Sequence, residues 1–159
     1  MNIYPWYRLS RFLYLRHVPL VPSLIKALIR VLWAAVIPYQ ADIGEGTFFG
    51  YQGLGIVIHK NCVIGKNCHI AQNVTLGGTS GLKNVPVLGD GVDIGAGANL
   101  IGPIRIGNNV TIGAGAVVLQ DLPDNCVAVG VPARIVKYKT PRLKILPVRI
   151  HKTLISAAA

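Results

Sequence analysis

The chain has 159 residues, 52% of them hydrophobic and only 14% charged, which is enough for one domain and too apolar for a disordered one. Sixteen Lys and Arg against six Asp and Glu give a net charge of +10. The excess is confined to the ends: residues 1–36 and 137–159 hold basic residues and no acid, while the stretch between them holds all six acids and is nearly neutral. Such a split points to an anionic surface met by the flanks. No nucleic-acid partner is expected, because no binding motif accompanies the charge and the aromatics cluster near the N-terminus. Cys62, Cys68 and Cys126 share no CxxC spacing, and an odd count suits a reducing, cytoplasmic compartment better than a disulfide framework.

The first element read from the sequence is a helix over 23–37, "SLIKALIRVLWAAVI", entered through Pro19 and Pro22 and stopped by Pro38. Fifteen residues give about 22 Å of helix, short of the ~30 Å hydrocarbon thickness of a bilayer. It is apolar nearly all round, with Lys26 and Arg30 one turn apart. Two readings stand: the helix lies in a membrane interface, on the inner face of the cytoplasmic membrane, or it packs on the core or a neighbouring subunit. A cleaved signal peptide is disfavoured by the absence of a clear A-x-A site.

From residue 37 a six-residue rhythm takes over. Every sixth position from Ile58 to Val118 is Ile, Leu or Val, and the next is often Gly, as at Gly65, Gly89, Gly95, Gly107 and Gly113. A second small or apolar position follows four residues after each aliphatic and includes Cys62 and Cys68, which reads as packed thiols, not nucleophiles. A period of six is neither helical nor a simple alternation. It suits short strands joined by tight turns, an all-β solenoid in which each coil covers the hydrophobic face of the next.

The rhythm breaks once. From Phe49 to Ile58 is nine residues, so "FGYQGLGIVIHKN" carries a three-residue insert, and His59 follows it. Inserts in solenoids collect on functional faces. Residues 79–87, "TSGLKNVPV", read as a loop that leaves the coil, with Leu82 in register by accident. The predicted organisation is an N-terminal helical segment (1–36), a repeat domain (37–136) and a basic C-terminal tail (137–159).

"IGKNCHIAQNVTLGGT", "IGAGANLIGPIRIGNNVTIGAGAVV" and "VGVPARIVK" resemble the hexapeptide-repeat acyltransferases, in particular their serine acetyltransferase-like branch. The resemblance implies a left-handed parallel β-helix, a homotrimer, and acetyl-CoA bound in the groove between subunits. The coil departs from the serine enzymes at three places. Gly50-Tyr51 stands where they keep an Asp-His pair, Val36 where an aspartate orients the base, and Lys83-Asn84-Val85-Pro86 where a second histidine precedes a proline. In this stretch the chain is similar to the members associated with polysaccharide biosynthesis. The expected acceptor is therefore a sugar hydroxyl, with serine as the alternative and a non-catalytic trimeric scaffold as a further one.

Transfer to a hydroxyl needs a base, oxyanion donors and a slot for CoA. Among His17, His59, His69 and His151, His59 is the expected base because it follows the break, while His69 reads as a turn residue. Tyr51, Gln72 and Asn73 are candidates for the acceptor pocket. The resemblance points to Gly77, Gly78, Thr79, Ala96 and Ala114 along the pantetheine arm, and to Arg134 and Lys137 at the CoA phosphates. No metal is expected, since the histidine spacing gives no HxxxxH pair.

Overall fold

The computed structural model describes residues 2–81 and 84–140. Two helices precede the coil. α1 (Tyr4–Leu15) and α2 (Val21–Trp33) form a hairpin, each with a proline in its first turn, where the missing N–H costs nothing. The expected single helix over 23–37 is thus corrected at both ends. It starts at Val21 and stops at Trp33, where Ala34 turns into the left-handed region at φ 50°, freeing Val36 to donate its N–H to Ile56 as the first rung of the coil. α1 was not expected.

The coil is a parallel β-helix with three faces, consistent with the left-handed winding that the resemblance implies. Face A stacks β3 (Val57–Ile58), β6 (Thr75–Gly77), β9 (Asn99–Ile101) and β12 (Val117–Val118). Face B stacks β1 (Asp42–Ile43), β4 (Val63–Ile64), β7 (Val87–Leu88) and β10 (Arg105–Ile106). Face C holds β2 (Phe48–Phe49), β5 (His69–Ile70), β8 (Asp93–Ile94), β11 (Thr111–Ile112), β13 (Cys126–Val129) and, antiparallel at its end, β14 (Arg134–Tyr138). The strands are mostly two residues long and put one side chain out and one in. The inward file is the sequence rhythm: Ile58, Ile64, Ile70, Leu76, Leu88, Ile94, Leu100, Ile106, Ile112 and Val118 are all buried, as are all three cysteines. Each such aliphatic stabilises the stack by about 1.5–3 kcal/mol.

Register measures the irregularities. Val57 pairs with Thr75, a step of eighteen residues, or one coil. Phe48 pairs with His69, a step of twenty-one, so the three-residue insert is real and lies between β2 and β3. His69 pairs with Asp93, a step of twenty-four. The extra six residues there are one whole hexad between β6 and β7, which is why the rhythm stays in phase across the loop. The loop is shorter than expected: Val85 is buried and Val87 belongs to β7. Leu82, and the tail beyond Thr140, lie outside the described residues. Lys137, expected at the start of that tail, lies in β14.

α1 closes the lower end of the coil through polar contacts. The Tyr7 hydroxyl donates to the Ala41 carbonyl at 2.7 Å and accepts the Ile43 N–H at 3.1 Å. Burial pushes the Tyr7 phenol up to about 12. Arg11 donates to the Tyr39, Gln40 and Ala41 carbonyls and pairs with Asp42 at 2.7 Å. The Asn2 amide donates to the Phe49 carbonyl, and Ile3 is fully buried where a side chain on Gly53 would stand. The N-terminus therefore holds the insert in place.

Candidate active site

The insert forms a tight turn, Gly50–Gly53. Tyr51 and Gln52 have φ of 47° and 63°, two consecutive non-glycine residues in the left-handed region, each costing about 1–3 kcal/mol. Tyr51 is 75% exposed, so it projects outward and is not a packing residue of this chain.

Beside this turn lies a histidine–carboxylate pair. His69 stands on β5, not in a turn as expected, and its Nδ1 lies 2.8 Å from Asp93 Oδ1 on β8. Phe48, directly across the ladder, stacks on the imidazole with centroids 5.6 Å apart. The other ring nitrogen, Nε2, is 3.3 Å from where a Cβ on Gly50 would be. The His69 ring is thus held on two sides, with Nε2 over Gly50, a position of the turn that lacks a side chain.

His59 is elsewhere. It begins the corner between faces A and B, its backbone N–H donates to the Leu76 carbonyl, and its Nδ1 accepts the Asn61 N–H at 3.2 Å. Among the described residues it makes no ion pair. The remaining expected site residues divide between two edges of face A. Gly77, Gly78 and Thr79 share the corner of His59, one coil up, where the Gly77 carbonyl accepts the Gly102 N–H. Tyr51, Gln72, Asn73, Ala96 and Ala114 line the corner between faces C and A. There Gly97 donates to the Gln72 carbonyl and Gly115 to the Ala96 carbonyl, so Gln72, Ala96 and Ala114 form one file. Gln72 Oε1 is buried with no hydrogen-bond partner among the described residues, a state that costs about 1–3 kcal/mol unless a ligand relieves it. Gly97 and Gly115, at φ 69° and 66°, have nothing within 4 Å of where a Cβ would be. This corner is accordingly open and flat, the surface a long thin ligand needs for close approach to backbone.

Arg134 and Lys137 are exposed on β14. Lys137 pairs with Val127, and ladder partners then run through Thr111 and Asp93 to His69. The four strand spacings from Lys137 to His69 amount to about 19 Å. Among the described residues no three His, Cys, Asp or Glu are grouped to hold a metal ion.

A parallel three-faced coil with a histidine–carboxylate pair beside a strained turn defines the class: a transferase built on hexapeptide repeats. The family model described as bacterial transferase hexapeptide (six repeats) matches residues 86–120. More specifically, the chain is 44% identical over 133 residues to a serine acetyltransferase of Synechococcus elongatus, covering 82% of this chain and 54% of that protein. It is 40% identical over 130 residues to the Helicobacter pylori serine acetyltransferase, covering 80% and 75%. The chain belongs to this family of hexapeptide-repeat transferases. Among solved structures, the Brucella abortus serine acetyltransferase in complex with coenzyme A superposes with a TM-score of 0.81 at 33% identity, over 86% of this chain and 55% of that one. Soybean serine acetyltransferase complexed with serine gives 0.76 at 39% identity, over 82% and 54%. The chain spans about half the length of the cyanobacterial relative and of these solved chains. The expected kinship with polysaccharide-modifying members finds no support among these relatives, which are named serine acetyltransferases.

Asp93 was not among the residues expected from the sequence, and His69 was expected only as a turn residue. The signal was present: both residues immediately precede inward aliphatics, Ile70 and Ile94, in the same phase of the repeat.

Proposed function

We propose that this chain is an acetyl-CoA-dependent O-acetyltransferase, working as a homotrimer, whose acceptor is the hydroxyl of serine. The observation that carries this reading is the 40% identity across three quarters of the Helicobacter pylori serine acetyltransferase. The geometry supports it. The open corner at Ala96 and Ala114 suits a pantetheine arm. Lys137 stands about 19 Å along face C from His69, with Arg134 on the same strand, within reach of the phosphates of an extended thioester donor. Acetyl-CoA supplies an activated acyl group, and this chain's residues bind and orient it. Gln72 Oε1, orphaned on the same corner, is an acceptor for the donors of the incoming hydroxyl compound.

A second acceptor, a sugar hydroxyl, is favoured by one observation: Tyr51, which the resemblance places where the serine enzymes keep a histidine, offers an exposed ring of the kind that stacks on a pyranose. Coenzyme A release, followed by thiol titration with L-serine and with a panel of nucleotide sugars, separates the two. Serine-dependent turnover supports the first reading, and sugar-dependent turnover without a serine response replaces it with the second.

The outer side of α2 exposes Leu24, Leu28, Val31 and Leu32 beside Arg30, while Ile25, Ile29 and Trp33 pack inward. No helix among the described residues is long and apolar enough to cross a membrane. The exposed stripe supports a peripheral location on an anionic membrane surface.

A further inference from the structure

We infer that His69, held by Asp93, is the general base of this chain and that the floor of its acceptor site is Gly50; the inference rests on the acyl-transfer reading above. A histidine acts as base through a nitrogen that is unprotonated and faces the substrate. The Asp93 carboxylate, 2.8 Å from Nδ1, takes the Nδ1–H and so leaves the lone pair on Nε2. The stacked Phe48 ring fixes the plane of the imidazole. Nε2 then lies over the backbone of Gly50, where any side chain would enter its hydrogen-bonding shell. The neighbouring Tyr51 and Gln52 are held in strained conformations by a turn that Asn2 and Ile3, just ahead of α1, prop from behind. Strain of this kind persists where the surrounding structure over-determines it.

In the step assigned here, the acceptor hydroxyl lies on Nε2 and loses its proton to it as the oxygen bonds to the thioester carbonyl carbon. The carbonyl electrons move to oxygen. On collapse the carbon–sulfur bond breaks, the electron pair leaves with sulfur, and the imidazolium returns the proton to give free thiol. No oxidant, metal or further reactant enters. His69 is the catalytic residue, and Asp93 is a positioning residue acting through it.

The pair is a surface feature, with side chains 47% and 53% exposed, so substitutions there leave the core untouched. In the full chain with acetyl-CoA and the acceptor that supports turnover, H69A and H69Q should lower kcat by roughly 10²- to 10⁴-fold with KM for acetyl-CoA unchanged. Added imidazole should restore part of the H69A rate, which a merely structural role would not allow. D93N should also lower kcat, and D93E should recover part of it. H17A, at the exposed helix hairpin, should retain the wild-type rate. Wild-type kcat in both H69A and H69Q, or loss confined to H59A, would overturn the assignment while leaving the transfer reading intact. A wild-type chain that releases no coenzyme A with any hydroxyl acceptor would instead remove the transfer reading, and the base with it.

Discussion

Replacing Gly50 by Ala tests the site with a single methyl group. Gly50 is not in the left-handed region, so alanine meets no backbone penalty. The new Cβ would lie 3.3 Å from both His69 Nε2 and the Ala71 Cα. The imidazole is half exposed and can give by a few tenths of an ångström, whereas the Ala71 contact is with backbone and is relieved by a small shift of the turn. A cost of about 1 kcal/mol is offset by roughly 0.4–1 kcal/mol from the reduced freedom of the unfolded chain. Tm should therefore move by no more than about 4 °C. The catalytic effect should be much larger. A base must come within about 2.6–3.2 Å of the proton-bearing oxygen, and the methyl occupies that shell. A displacement of about 1 Å costs on the order of 10²-fold. The assay is kcat from coenzyme A release, with Tm by circular dichroism on the same preparation. An unchanged kcat with an unchanged Tm would refute the placement of the acceptor over Gly50.

Four further outcomes are expected. Leu100→Ala removes a fully buried member of face A and should destabilise the coil by about 2–5 kcal/mol, read from urea unfolding. Double replacement of Arg134 and Lys137 by alanine should raise KM for acetyl-CoA roughly 10-fold or more with kcat at saturation preserved; an unchanged KM would move the phosphate site elsewhere. The Cys62 thiol is pushed by burial from 9.0 to about 11, so the folded state keeps its proton where the unfolded chain loses it. Stability should then be full below pH 9 and fall as pH rises towards about 11; denaturant melts of wild type and C62A should differ in that slope, and identical slopes would contradict the burial of the thiol. Exchange of Leu24, Leu28 and Val31 for glutamine should abolish sedimentation with anionic vesicles. Failure of the unaltered chain to sediment would dismiss the membrane surface as a partner.

The coil was legible because its rhythm is a direct record of burial: one inward aliphatic per two-residue strand. The insert was legible for the same reason, as a displacement of that file by three. α1 was not, because Tyr4, Tyr7 and Arg11 are held by the Gly44, Ala41, Gln40 and Tyr39 carbonyls and not by any local pattern. The same limit hid the histidine–carboxylate pair. His69 and Asp93 are twenty-four residues apart and become neighbours only because the loop between β6 and β7 adds a whole hexad to the coil. His59 drew attention by its nearness to the insert in sequence, yet β3 carries it across face A to the opposite corner. Proximity along a solenoid chain is thus a poor guide to proximity in space, whereas equal phase in the repeat is a good one.

The central claim is that this chain moves an acetyl group from a thioester to a hydroxyl. Incubation of the full chain with carbon-13 acetyl-CoA and L-serine, followed by NMR of the labelled carbonyl, tests it most directly. The account predicts an ester carbonyl signal on the acceptor that grows in step with free coenzyme A. Retention of all label in the thioester, with serine and with sugar acceptors alike, would contradict it.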